Sequence, residues 1–367
     1  MRFITRAIGI MGPVVLVTCA FGDNGNSSFL AQLSNLSTVG STVPSNGDVN
    51  PYGTAVVPQS KGALVEGDVL VSNFNNSANN QGAGTTIVEI GSDGKPMVFA
   101  QLNTASLPGT CPGGVGLTTA LVVLRSGWVI VGSLPTSDGT AATAQAGCLI
   151  VLNQNGQPVM TLAGNGINGP WDMTALDFDD VAILFVTNVL NGTVAADGQT
   201  VNGATVLRIV LATPSQDGTM PQELGRTPIA SGLGEHSDPD ALIVGPTGLG
   251  FAPNGTLYIA DTVASRIAAV PNALFRMDSA GVGTTVSQGG ALNGPLGLTI
   301  APNGDILTVN ASDGNIVETT PSGTQVATKA IDVSLQGAGT LFGLAITHDG
   351  KGVYFVDDGN NTLNVLR

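Results

Sequence analysis

Six short apolar runs recur along the chain, each ending in a small polar residue: Val69–Asn73, Val129–Ser133, Leu184–Asn188, Leu257–Asp261, Ile306–Asn310 and Val353–Asp357. Both parities within each run are apolar, as expected of strands covered on both faces. A second apolar run precedes each of them. In the clearest copies, Gly245-Pro246-Thr247-Gly248-Leu249 leads through Pro253-Asn254-Gly255 to Asp261, and Gly294-Pro295-Leu296-Gly297-Leu298 leads through Pro302-Asn303-Gly304 to Asn310. Third runs follow, such as Thr86–Ile90, Cys148–Leu152 and Asn315–Thr319, then tight turns at Ser92-Asp93-Gly94, Asn155-Gly156 and Ser322-Gly323. Glycine there accommodates the positive φ of a hairpin. Outer runs at Met97–Gln101 and Val159–Ala163 complete units of four strands. A unit of roughly 50 residues built only from short strands predicts an all-β fold, a six-bladed β-propeller of four-stranded antiparallel blades.

The approximate blades are 50–107, 111–165, 168–235, 240–292, 293–338 and 339–367. The last one stops after its third strand, Thr362–Leu366, while the strand-like Leu33–Val43 belongs to no unit. Residues 29–45 are therefore expected to supply the missing outer strand, closing an otherwise open sheet edge. Residues 29–367 then form one domain.

The phrase at 246–262, Pro-Thr-Gly-Leu followed by Pro-Asn-Gly-Thr-Leu-Tyr-Ile-Ala-Asp-Thr, resembles the NHL repeat, most clearly over 241–367 and more weakly over 50–200. Where that repeat continues Asn-His-Arg-Ile, the chain has Ala264-Ser265-Arg266-Ile267 once and departs elsewhere. The resemblance implies architecture, because the repeat serves binding proteins and enzymes alike.

Ahead of the repeats, Arg2 and Arg6 precede an apolar stretch from Ala7 to Val17, which reads as an export signal over 1–18. Leu16-Val17-Thr18-Cys19 resembles a bacterial lipobox, with Thr18 departing from its usual small residue. Lipidation of Cys19 and ordinary cleavage after Ala20 are both open, with 19–28 a flexible tether. The protein is accordingly expected outside the cytoplasm, as an envelope lipoprotein or a secreted protein. Removal of Cys19 leaves Cys111 and Cys148, either a disulfide pair or two buried thiols.

Without Arg2 and Arg6, 10 basic face 26 acidic residues, a net charge of about −16. Such a balance, with no cluster of Lys and Arg, excludes nucleic acid as a partner. It leaves a small polar ligand, a glycan or an envelope protein, with membrane contact only through an N-terminal lipid anchor.

First strands start and second strands end on one face of a propeller. There the connections Phe74–Gly84, Leu134–Gly147 and Val189–Gly203 are long, which makes this loop face the expected place for binding. The opposite face, the turn face, is mostly tight turns. Asn73, Ser133, Asn188, Asp261, Asn310 and Asp357 end the six runs at the loop face. They read either as an oxygen-rich ring at the channel mouth, suited to a divalent cation or polar ligand, or as side chains that bond their own turns. Blade 3 has Gly169-Pro170-Trp171-Asp172, a carboxylate where other blades have glycine, and blade 1 has Asn50-Pro51-Tyr52-Gly53. Tyr52, Trp171 and Asp172 are candidates to hold a sugar-like ligand, against the alternative of packing and turn capping. Glu235–Asp240 reads as an inter-blade loop, and His348 as an exposed turn residue.

No catalytic constellation or cofactor motif is evident. The expectation is a non-catalytic binding or scaffold protein of the envelope. The alternative is a metal-dependent hydrolase resembling gluconolactonase-like propellers, whose channel metal Asp172, Asn188 and Asp261 would mimic. Against it, blade 1 has Tyr52-Gly53-Thr54-Ala55 where those enzymes carry a Glu. Two histidines exclude a three-His zinc site, and no Gly-Xaa-Ser-Xaa-Gly elbow is present.

Overall fold

Strands apolar on both faces need neighbours on both faces, and stacking blades in a ring supplies them. The computed structural model describes residues 27–215, 218–332 and 340–367. Its innermost strands are Val49–Val56, Leu117–Val123, Pro170–Asp177, Pro246–Phe251, Pro295–Ile300 and Leu341–Ile346. Each packs against the innermost strand of the next blade, and the last packs against the first, so the ring closes. Each begins an antiparallel meander, four-stranded in five blades.

The Gly-Pro-Xaa-Gly phrase marks where this ring is tightest. A Cβ on Gly248 would lie 2.3 Å from the backbone nitrogen of Leu298, and one on Gly297 would lie 2.3 Å from the carbonyl oxygen of Phe342. Glycine is required because the next blade's first strand passes there. Side chains in a second strand or just after one then staple adjacent blades: Ser72 Oγ donates to the carbonyl of Thr118 at 2.7 Å, and Thr262 Oγ1 donates to that of Pro295 at 2.7 Å.

Closure of the last blade follows the expectation. Leu36–Ser41 pairs antiparallel with Thr362–Leu366, from Leu36 opposite Leu366 to Ser41 opposite Thr362. Order begins earlier than the closing strand. Ser28, expected in the tether, caps a helical turn at Phe29–Gln32, and Glu318 accepts from the backbone N–H groups of Phe29 at 2.7 Å and Leu30 at 2.8 Å. Phe29, Leu30 and Leu33 are buried in the core. The expected signal (1–18), Cys19 and the tether as far as Asn26 lie outside the described residues.

Blade 3 departs from the pattern. Its outer strand runs from Gln222 to Asp238 and then pairs with a fifth strand, Leu242–Val244. Glu235–Asp238 is thus strand rather than inter-blade loop, because the meander continues past the edge of the blade and folds back over the loop face. Cys111 and Cys148 are joined by a disulfide.

Candidate functional site

The six polar residues ending the second strands are placed one strand away from the axis, and each is engaged locally. Asn73 Nδ2 donates to the carbonyl of Thr42 at 3.0 Å. Ser133 Oγ accepts from Gly116 N–H at 2.9 Å and donates to the carbonyl of Gly114 at 2.8 Å. Asn188 and Asn310 each accept from the backbone N–H of an incoming connection, Asn168 at 3.2 Å and Asn293 at 3.1 Å. Asp261 pairs with Arg266 at 2.7 Å, and Asp357 accepts from Asn360 Nδ2 at 2.8 Å. The structure does not bring these six together around the channel.

Tyr52 and Trp171 do meet, inside an aromatic plug. Tyr52 stacks on Phe342 with ring centroids 3.8 Å apart and on Phe74 at 4.5 Å. Trp171 meets Tyr52 and Phe74 edge-on at 6.0 and 5.5 Å. The long loops fold inward over them, adding Leu134, Val189 and Leu190 to the same cluster. The loop-face mouth is therefore filled by apolar packing.

Beneath the plug, a cavity of about 260 Å³ runs along the first strands toward the turn face, bounded by Thr54, Thr119, Asp172, Leu249, Leu298 and Gly343 at its inner end. First-strand residues are buried near the plug and become half-exposed at Val56, Val123, Ala175, Thr299 and Ile346, which places the opening on the turn face. Asp172 stands where blades 1, 4, 5 and 6 carry the close-approach glycine. Its backbone N–H donates to Thr187 Oγ1 at 2.8 Å. Burial pushes its carboxyl up to about 8, against the lowering effect of N–H groups from Met173 and Leu249. At neutral pH it is a carboxylic acid, able to donate a hydrogen bond. The Thr54 and Thr119 hydroxyl oxygens on the same wall are buried and have no protein partner. Sequence reasoning passed over both threonines, since each reads as an ordinary strand residue and only the three-dimensional inventory exposes the unmet oxygens.

At the turn-face rim, Asp177 accepts from the backbone N–H of Arg125 at 2.6 Å, and the guanidinium reaches Asp179 at 3.3 Å. His348, also on this face, is half-exposed beside Glu66 at 3.4 Å. On the loop face, the blade 3 hairpin places His236 and Asp238 at the edge of a separate pocket of about 310 Å³, floored by Trp171, Leu296 and Phe342. Glu235, just behind them, is buried, and this pushes its carboxyl up to about 7 even though it accepts from Asn191 N–H at 3.0 Å.

A divalent cation of the kind held by gluconolactonase-like propellers does not fit these residues. Hard cations take six to eight oxygens, several of them charged. Here Asp172 is the one carboxylate at the inner end of the cavity, and burial favours its neutral form. Asn188 and Asp261 are turned to other partners, and among the described residues no three His, Cys, Asp or Glu side chains converge.

No protein-family model matches the chain, and no curated protein does. Solved structures match its fold. A gluconolactonase from Xanthomonas campestris covers 90% of this chain and 88% of its own at 14% identity, with a TM-score of 0.55. A luciferin-regenerating enzyme covers 90% and 94% at 10% identity, with a TM-score of 0.55. Regucalcin from Agrobacterium tumefaciens, described as a calcium-binding protein, covers 90% and 93% at 12% identity, with a TM-score of 0.52. The NHL resemblance thus narrows to the six-bladed propeller itself. The expectation of a non-catalytic binding or scaffold protein is corrected: the solved structures that share the fold over nine-tenths of the chain include a gluconolactonase and a luciferin-regenerating enzyme. At these identities the likeness establishes a six-bladed propeller fold, and the chemistry has to be argued from the channel.

Proposed function

We propose that this protein is a hydrolase that opens small, uncharged ring esters (lactones) in its central channel, with Asp172 as the acid. One observation carries the reading: a buried, neutral carboxyl at the inner end of a channel open to solvent. Perturbed acids in concave sites are where catalysis concentrates. The cavity is smaller than the ~300–1,000 Å³ of drug-sized pockets, which suits a single ring. Its lining includes no Lys or Arg, so an anionic substrate would lack a counter-charge and a neutral one would not need it.

In this reading the lactone carbonyl oxygen accepts a hydrogen bond from the Asp172 carboxyl. A water entering from the channel mouth adds to the carbonyl carbon. The acid stabilises the negative charge developing on that oxygen, as a preorganised donor in a dry site does. The ring carbon–oxygen bond then breaks, the ring oxygen takes the proton released by the water, and a hydroxy acid results. Once ionised, that product finds no Lys or Arg in the cavity lining, which favours release. Export to the envelope or beyond is part of the proposal, with small neutral esters as the ligands.

The test is a panel of five- and six-membered lactones, with acid release followed by titration, on the wild type and on Asp172→Ala. Turnover that falls at least tenfold in the variant supports the reading. No turnover across the panel, or turnover lost to a chelator and restored by calcium, would overturn it.

A further inference from the structure

We infer that the turn face is a membrane-docking surface, on which the propeller lies against a lipid bilayer with its channel mouth toward the lipid. Apolar exposure is strongest on one side. Of the twelve large hydrophobic side chains exposed among the described residues, Val194 belongs to the loop face, Val282 borders a groove with Asp261 and Ala264 near that face, Val98 is mid-strand, and the other nine lie on or near the turn face. Phe178 is in the blade 3 turn between first and second strands, Met220 in the turn before its outer strand, and Phe275 and Met277 in the corresponding turn of blade 4. They are 55%, 59%, 83% and 81% exposed. Leu36, Met97, Leu224 and Val326 extend the set around the rim, at the turn-face ends of outer strands. Scattered surface hydrophobics are ordinary, but a set concentrated on one face marks an interaction surface.

The occupant is indicated by where the chain enters the fold. The first ordered turn docks at Glu318, beside Asn303 in a turn-face turn of blade 5. The segment ahead of Ser27, which carries Cys19, therefore joins the fold at this face. An acyl chain on Cys19 would draw this face, and not the loop face, to the bilayer. Apolar side chains beside an acylated N-terminus would supply a second signal that adds to stable attachment. With a net charge of −14, attraction to anionic headgroups is not the force. The surface fits a zwitterionic bilayer, and binding should be insensitive to salt. Among the described residues no helix is long and apolar enough to cross a membrane.

The experiment is flotation of the Cys19→Ser chain with the export signal, residues 1–18, removed, using phosphatidylcholine vesicles at low and high salt, so that neither an acyl chain nor Ala7–Val17 contributes. The variants are Phe275→Ser with Met277→Ser, and Val194→Ser as the loop-face control. Expected are binding at both salt concentrations, at least tenfold weaker partitioning of the Phe275/Met277 variant with an unchanged thermal midpoint, and no effect of Val194→Ser. No flotation of the Cys19→Ser chain, or equal flotation of all variants, would overturn the inference. So would a dimer in sedimentation that the Phe275/Met277 variant dissolves, since the face would then be covered by a second copy.

Discussion

Replacing Asp172 by Asn should stabilise the protein. Asparagine has nearly the same shape, and its side-chain oxygen can keep the N–H groups of Met173 and Leu249. It removes only the charge that burial opposes. The carboxyl titrates near 3.8 when solvated and at about 8 in the fold. Between these values the folded state binds a proton that the unfolded state has released, so wild-type stability falls as pH rises through the window and levels off above it. At ~1.4 kcal/mol per pH unit, the three units between 4 and 7 amount to ~4 kcal/mol. The Asn variant lacks this slope. It should match the wild type near pH 4 and exceed it by ~4 kcal/mol at pH 7. With an unfolding entropy of roughly 0.7 kcal/mol per kelvin for a chain of this size, that corresponds to about 6 °C in Tm. Thermal unfolding of both proteins from pH 4 to 9, followed by circular dichroism, measures the difference. Parallel curves would refute the reasoning, because they would mean that Asp172 is ionised in the fold and cannot act as an acid. A residue that costs this much stability at neutral pH is understandable if function requires it.

Two further predictions concern how the ring is held. Glu318 is buried, which raises its carboxyl, but bonds from Ser28, Asn303, Leu30 and Phe29 outweigh this and hold it below the usual range. Its contribution is full above pH 4.5 and is lost as pH falls through the depressed value; Glu318→Gln should cost on the order of 2 kcal/mol, read as faster amide exchange at Phe29 and Leu30 with protection of the blade cores retained. The Cys111–Cys148 bond closes a loop of 37 residues, so replacing both by Ser should lower stability by about 4 kcal/mol, measured as a shift of several degrees in Tm that reductant reproduces in the wild type only after unfolding, since Cys148 is fully buried.

The architecture was legible because propeller contacts are local. Pro-Asn-Gly turns, doubly apolar strands and the Gly248 and Gly297 close approaches each announce themselves within a few residues. Even the closing strand was readable, as an unmatched strand at one end and a vacancy at the other. The site was less so. Sequence places a residue at one end of a blade but not at a distance from the axis, so Asn73, Asn188 and Asp261 looked like channel residues although they stand one strand out. Tyr52, Phe74, Trp171 and Phe342 come from three blades, and nothing in their spacing says that they stack into a plug. Asp172 was visible as a carboxylate in a glycine position. That it is neutral, and that Thr54 and Thr119 join it, depends on burial by elements far away in the chain. Glu235–Asp238 looked like a loop because Pro239 follows it, whereas the strand extends to Asp238 before turning.

The most direct measurement is the pH dependence of lactone opening, corrected for spontaneous hydrolysis, in the wild type and in Asp172→Ala, which removes the donor. The account predicts a kcat that is level at low pH and falls as pH rises through about 8, when Asp172 loses its proton, and a variant that is at least a hundredfold slower with no such inflection. A wild-type rate that climbs through pH 8, or a variant that keeps the wild-type rate, would contradict it.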